Sequence, residues 1–340
     1  MKKKTLTVIL AGSMALSMCS CGEEKTIGEN EEGAVSTETK EEEKETEVSE
    51  ADTEQTPTFS FEEFKGLQFY FSSGAGGWAT MLTVDGDGSF SGEYFDGELG
   101  VTGEEYPNGT MYQSNFTGHF TEPVQVNDYT YSMQIRDIDY EEEVGTEEIA
   151  DGMLYCYVDA YGLTEAKDML LYAPGAPLAD LPEDYRSWVG YYDHTSTEDT
   201  ELPFWGMYNE AAQCGFSSYR LADQLKQRVA FAEEEVILIE TSIKNDSLSQ
   251  AELNEKSQQL YQIWDSELNA VWDVLKQTLD EEAMNALTLE EREWIAEKEA
   301  AVSEAGAEYE GGSLQPMVEN QKAAELTKAR VYELLELLEL

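Results

Sequence analysis

From about Phe59 to Tyr219 the apolar side chains recur at every second position. Leu67, Phe69 and Phe71 alternate with other residues, as do Trp78, Thr80, Leu82 and Val84. Phe116, Gly118 and Phe120 repeat the pattern, and Tyr129, Tyr131, Met133 and Ile135 follow it. A period of two is that of a strand with one face buried. Between the runs, Asp85-Gly86-Asp87-Gly88 predicts a type I′ turn and Pro107-Asn108-Gly109 a hairpin. Met153 to Val158 and Met169 to Tyr172 read as later strands, and Pro174, Pro177 and Pro182 punctuate the end of this region. The segment from Leu202-Pro203-Phe204-Trp205-Gly206 to Tyr219 reads as a connector packed back onto the sheet. Short strands at this spacing predict an antiparallel β barrel or sandwich over residues 58–219. Its many aromatic positions suit either a filled core or a small ligand-holding calyx.

At Leu221 the period changes. Leu221, Leu225, Val229, Ala232, Val236, Ile239 and Ile243 are spaced by threes and fours, which marks a helix. Asn245-Asp246-Ser247 breaks it. Ser249 followed by Glu252 is a capping box that opens a second helix, with the stripe Leu253, Leu260, Trp264, Leu268, Val271 and Leu275. Thr288 and Glu291 read as another capping box, ahead of Trp294, Ile295, Ala301 and Val302. Gly311-Gly312 ends that helix, and Ser313 and Pro316 start the last. Four helices with short connections predict an antiparallel bundle over residues 220–340. The fold class expected is therefore α+β, the β part preceding the helices.

The chain starts differently from either half. Lys2, Lys3 and Lys4 precede an apolar run from Leu6 to Met18, then Cys19-Ser20-Cys21-Gly22. The run is too short to span a bilayer and has the layout of an export signal. It resembles a bacterial lipoprotein signal over residues 1–20. That resemblance implies a lipid anchor on Cys21, which follows the small Ser20, and an address on the outer face of the bacterial cytoplasmic membrane or cell surface. Residues 21–57 are rich in glutamate and free of aromatic residues, which predicts a disordered, charge-stretched tether.

Charge and cysteine usage narrow the function classes. The formal net charge is −50. Removing the three signal lysines leaves 18 basic against 71 acidic residues. Such a surface excludes nucleic acid as a partner, since phosphate recognition needs a basic footprint. It favours a cationic partner or no charged partner. Cys156 and Cys214 are the only cysteines left after Cys21 and form a candidate disulfide in an oxidising location. His119 and His194 read as ordinary surface residues. Asp85 to Gly88 lacks the spacing of an EF-hand loop, because the glycine of position six is replaced by Phe90. Asp137, Asp139, Glu141, Glu142 and Glu143 read as an exposed acidic loop between strands. No metal site and no cofactor are expected.

The helical half carries a set of spaced residues. Leu268 and Asn269 precede Trp272; Glu291, Trp294 and Lys298 follow on the next helix. Gly312, Ser313, Pro316 and Met317 lead to Thr327 and Arg330. From about residue 249 to 335 this resembles the LprI-type lysozyme-inhibitor domain, a small helical module of secreted and lipid-anchored bacterial proteins. Glu291 and Lys298 stand where that family usually has glutamine and arginine. Val302 and Lys322 stand where it usually has cysteines, as loss of one disulfide would leave them. What the resemblance and the charge imply together is a non-enzymatic surface lipoprotein that binds an envelope partner, such as the cationic protein lysozyme. The alternative is a lipoprotein that binds a small ligand or glycan in its β domain. With 71 acidic residues, paired carboxylates arise by chance and do not argue for an enzyme.

Overall fold

A computed structural model describes residues 59–166 and 168–339. The signal, Cys21 and the tether lie outside the described residues. A short 3-10 turn, Phe61–Phe64, capped by Ser60, opens the folded part. Strands β1 (Leu67–Phe71), β2 (Trp78–Val84), β3 (Ser89–Glu98) and β4 (Thr110–Phe120) form a meander. β5 (Val124–Asn127), β6 (Thr130–Met133), β7 (Ile135–Tyr140), β8 (Glu147–Ala150) and β9 (Met153–Tyr157) follow. Next come β10 (Met169–Tyr172), the short helix α1 (Glu183–Trp188), β11 (Gly206–Asn209) and β12 (Cys214–Arg220).

All twelve strands belong to one sheet, in the order β5-β6-β10-β11-β12-β1-β2-β3-β4-β9-β8, with β7 on β4. It is antiparallel except for the β4–β9 pair. The ladder is not closed and no second sheet occurs among the described residues, so what holds of the expectation is a mostly antiparallel sheet ahead of the helices. Gln134 divides one extended stretch into β6, which pairs with β10, and β7, which pairs with β4.

The inward positions carry the predicted alternation. Phe69, Phe71, Leu82, Val84, Phe90, Phe116 and Phe120 are buried, with Phe64 and Trp205 packed edge to face at 5.2 Å. The aromatic positions thus build a filled core along most of the sheet. The loop after β2 is not a type I′ turn. The amide of Gly88 donates to Asp85 O at 2.9 Å, and of the four residues only Gly88 has positive φ, at 81°. That is a type I turn closed by a left-handed glycine. β3 and β4 do pair as a hairpin around Pro107-Asn108-Gly109, across a loop of eleven residues rather than a tight turn. Asp137 and Asp139 lie on β7 rather than in a loop, and Asp137 accepts from Arg136 Nε at 2.9 Å.

The segment read as a connector is part of the sheet: it supplies β11 and β12, which lie between β10 and β1. Its glycines disguised it. Gly206 and Gly215 face Tyr185 of α1, and a Cβ at Gly206 would collide with the Tyr185 hydroxyl. Tyr185 is fully buried there with Tyr172, Leu202 and Tyr208.

Arg220 ends β12 and Leu221 begins helix α2 (Leu221–Asn245) with no linker. The Leu221 amide donates to Gly66 O at 2.9 Å beside β1, which ties the helices to the sheet. α3 (Gln250–Thr278) starts at the predicted Ser249–Glu252 capping box. α4 (Glu281–Gly306) starts earlier than predicted, capped by Asp280 Oδ1 accepting from the Ala283 amide at 2.8 Å. Thr288 is therefore inside the helix, where its hydroxyl donates to Met284 O at 2.7 Å. Gly311 (φ 73°) turns the chain, and α5 (Gln315–Glu336) carries Pro316 in its first turn. Trp264, Leu268, Val271 and Leu275 of α3 pack with Val331 and Leu334 of α5 and Leu225 and Val229 of α2. Among the described residues no helix is long and apolar enough to cross a membrane.

Candidate functional site

Positions 291, 294, 298 on α4 are separated by three and four residues and therefore share one face. That face meets α5 at Arg330, one turn beyond Thr327. Arg330 is 6% exposed and its guanidinium is ringed by carboxylates. Nε donates to Glu291 Oε2 at 2.9 Å and Nη1 to Glu333 Oε2 at 3.1 Å. Nη2 lies 2.8 Å from Glu290 Oε1, but it has no partner in hydrogen-bonding geometry, so this contact is ionic only. Burial alone would lower the guanidinium pKa; the contacts with Glu291, Glu290 and Glu333 outweigh burial and raise it. Glu291 is thus not a helix cap. It is the buried anion of a seam between α4 and α5.

Two cations lie over the Trp294 ring. Arg330 Cζ is 5.8 Å from its centroid and Lys298 Nζ 4.9 Å. Lys298 also stands over Tyr261 of α3, 5.4 Å from the ring centroid and 3.5 Å from its hydroxyl. The hydroxyl pKa of Tyr261 is pushed up by burial and then by Asp265. Lys298 therefore does not pair with a glutamate; it spans two aromatic rings, an arrangement that favours a cation over water.

Beside Lys298 a groove of about 400 Å³ opens between α3, α4 and α5. Tyr261, Glu299, Val302, Ser303, Glu319 and Asn320 line it. Glu319 Oε1 accepts from Gln315 Nε2 at 2.8 Å, and Asn320 Nδ2 donates to Ser257 Oγ at 3.3 Å. The groove offers carboxylates, an amide and an aromatic edge, which suits a polar or basic side chain of a partner. No group of three or more His, Cys, Asp or Glu among the described residues could hold a metal ion.

The other sequence-predicted residues fall around this seam. Leu268 is buried in the helical core and Trp272 half-buried against it, while Asn269 is exposed and bonds Asp265 O at 2.8 Å. Gly312 donates its amide to Tyr309 O at 2.8 Å, and Ser313 O accepts from Asn254 Nδ2 at 3.0 Å, which fixes the α4–α5 turn. Met317 Sδ is 3.9 Å from Gln250 Nε2. Thr327 is fully buried with its hydroxyl unpartnered. Val302 lines the groove, and Lys322 reaches Glu325 at 3.0 Å. Tyr261, Glu319 and Asn320 were not singled out from the sequence; Tyr261 stands three residues before the buried Trp264, and only helix packing brings the three together.

Cys156 and Cys214 are not brought together. Both are buried free thiols, on β9 and β12, with β1 to β4 between their strands in the sheet. Cys214 Sγ donates instead to Ala212 O at 3.3 Å. His119 Nδ1 lies 2.7 Å from Asp137 Oδ1, a carboxylate oxygen that accepts, and His194 meets Arg186.

The helical unit is thus sewn by a buried arginine and carries an aromatic–cation contact beside an open groove. Residues 243–334 match the model of the family described as lysozyme inhibitor LprI. An uncharacterised protein of Rhizobium meliloti (strain 1021) is 35% identical over 106 residues, covering 27% of this chain and 76% of that protein. No solved structure matches the chain. Through its helical domain the chain belongs to the LprI family.

Proposed function

We propose that this protein is a non-enzymatic lipoprotein, anchored through Cys21, that binds a cationic protein partner in the cell envelope with its helical domain. Lysozyme is the leading partner. In this reading residues 1–20 are the signal, 21–57 the tether, 58–219 the β domain and 220–340 the helical domain. The observation that carries the proposal is the LprI match over the helices that build the Trp294–Lys298–Arg330 bracket and its groove. The charge of −50 supplies attraction to a basic protein at a distance, and the groove supplies the contact. The same charge would attract any basic protein, so salt separates recognition from adsorption. At about 0.5 M salt, where the Debye length falls well below 8 Å, specific binding to lysozyme should persist. Glu319→Ala, at the groove, should weaken it without changing the melt. Loss of binding at that salt, or equal binding by an unrelated protein of the same acidity, would refute the proposal. The alternative, a small ligand held by the β domain, has its own observation in a cavity of about 270 Å³ beside β4 and β9, lined by Tyr112, Leu154 and Cys156.

A further inference from the structure

Two acceptors in the groove between α3, α4 and α5 are held in place by the chain itself. Glu319 projects from α5 against the buried Gly306 of α4, where a Cβ would collide with its carboxylate, so this close approach needs glycine. Glu319 Oε1 accepts from Gln315 Nε2 at 2.8 Å, and Gln315 Oε1 in turn accepts from the Gly311 amide at 2.9 Å. Asn320 is fixed by α3. Its Nδ2 donates to Ser257 Oγ at 3.3 Å, and that buried hydroxyl donates to Asn254 O at 2.8 Å. Among the described residues neither Glu319 Oε2 nor Asn320 Oδ1 has a hydrogen-bond partner. One carboxylate oxygen and one amide oxygen, on successive residues, are thus left for a guest.

The charge of the lining falls one short of balance. Glu299 and Glu319 bring two carboxylates and Lys298 one ammonium. Lys298 stays on the rings of Tyr261 and Trp294 and forms no ion pair with either carboxylate. One further positive group brings the groove to neutrality. Tyr261 supplies the aromatic wall, and its hydroxyl pKa is raised by burial first, then by Asp265, with Glu299 adding to the rise. The kind of cation follows from the acceptors. Two oxygens in fixed positions suit the planar fork of a guanidinium, which also stacks on aromatic rings and is weakly hydrated. An ammonium is a compact, strongly hydrated point charge and gains less from such a pair. A volume of about 400 Å³ admits one long side chain.

We propose that the groove takes an arginine side chain of the partner, its guanidinium donating to Glu319 Oε2 and Asn320 Oδ1 beside the Tyr261 ring. This rests on the reading of the groove as the contact for a cationic protein, and it adds the group recognised there, arginine in preference to lysine. Gln315 and Ser257 act through Glu319 and Asn320 and do not touch the guest.

The test is calorimetric titration of the full chain with N-acetyl-arginine amide and with N-acetyl-lysine amide, which carry equal charge. The arginine compound should bind saturably, and the lysine compound about tenfold more weakly or worse. Glu319→Gln keeps the shape of the side chain and should weaken the arginine compound about tenfold with an unchanged melt. Glu299→Gln removes the same charge without touching the fixed pair, and should cost less than about threefold. Should Glu319→Gln shift the melt, the preference of the wild type for arginine over lysine decides alone. No binding of the arginine compound, equal binding of the two compounds, or equal losses in the two variants would overturn the proposal. A second titration uses lysozyme with its arginines blocked by 1,2-cyclohexanedione. Untreated lysozyme should bind, and blocked lysozyme about tenfold more weakly. If both bind alike, the arginine proposal falls and the lysozyme reading stands. If neither binds while the arginine compound does, the lysozyme reading falls and the groove keeps its assignment.

Discussion

Replacing Arg330 by methionine removes the cation of the α4–α5 seam and keeps most of its aliphatic volume. The carboxylate left behind on Glu291 has a side chain only 11% exposed. Glu290 and Glu333, each 61% exposed, can turn to water, so their contacts count for little. The cost is then that of one buried anion stripped of its partner, about 3–5 kcal/mol, at the lower end because two of the three carboxylates are released to solvent. Lost stacking on Trp294 adds up to about 1 kcal/mol. We expect Arg330→Met to destabilise the helical domain by about 3–4 kcal/mol, read by urea titration of helical ellipticity. Glu291→Met made together with Arg330→Met removes both charges and should restore all but about 1 kcal/mol, since a buried pair is worth little more than its apolar replacement. A cost below about 1 kcal/mol for Arg330→Met would refute the reasoning. So would a double variant that loses the sum of the two single changes, because uncoupled groups add.

Three further outcomes follow from local geometry. The Glu233 carboxyl pKa is lowered by hydrogen bonds from Lys328 and Tyr332, so this group stabilises the fold above the ordinary glutamate pKa. The advantage of wild type over Glu233→Gln should be full above about pH 4.5 and vanish as pH falls through the lowered value, followed by thermal melts across pH 2.5–7. Gly206→Ala places a methyl group against the Tyr185 hydroxyl in the sheet core, and should cost about 1–3 kcal/mol in a denaturant titration; a neutral outcome would mean that α1 does not pack as described. Labelled palmitate should enter the wild-type protein and not Cys21→Ala, and unchanged labelling would point to Cys19.

Much of this protein was legible one element at a time. The alternation of Phe69, Phe71, Leu82 and Val84 fixed which faces are buried, because a strand has only two faces. The stripes of α2 and α3 did the same for the helices, and Ser249 with Glu252 marked a helix start by local hydrogen bonding alone. The spaced residues from Leu268 to Arg330 were enough to point to the LprI family before any fold was known. What the sequence left open were matters of which distant groups meet. Gly206 and Gly215 hid two central strands because their reason is the Tyr185 ring, supplied by another element. Thr288 and Glu291 matched a capping box in spacing, yet Asp280 had already started that helix, and Glu291 was free to pair with an arginine 39 residues away. The pairing of Cys156 with Cys214 was reasonable from number alone and failed on sheet order. Lys298 over Tyr261 and Trp294 exists only once the helices pack. Local preference is set by neighbours along the chain, whereas a site is set by neighbours in space, and those are chosen by the packing of the whole.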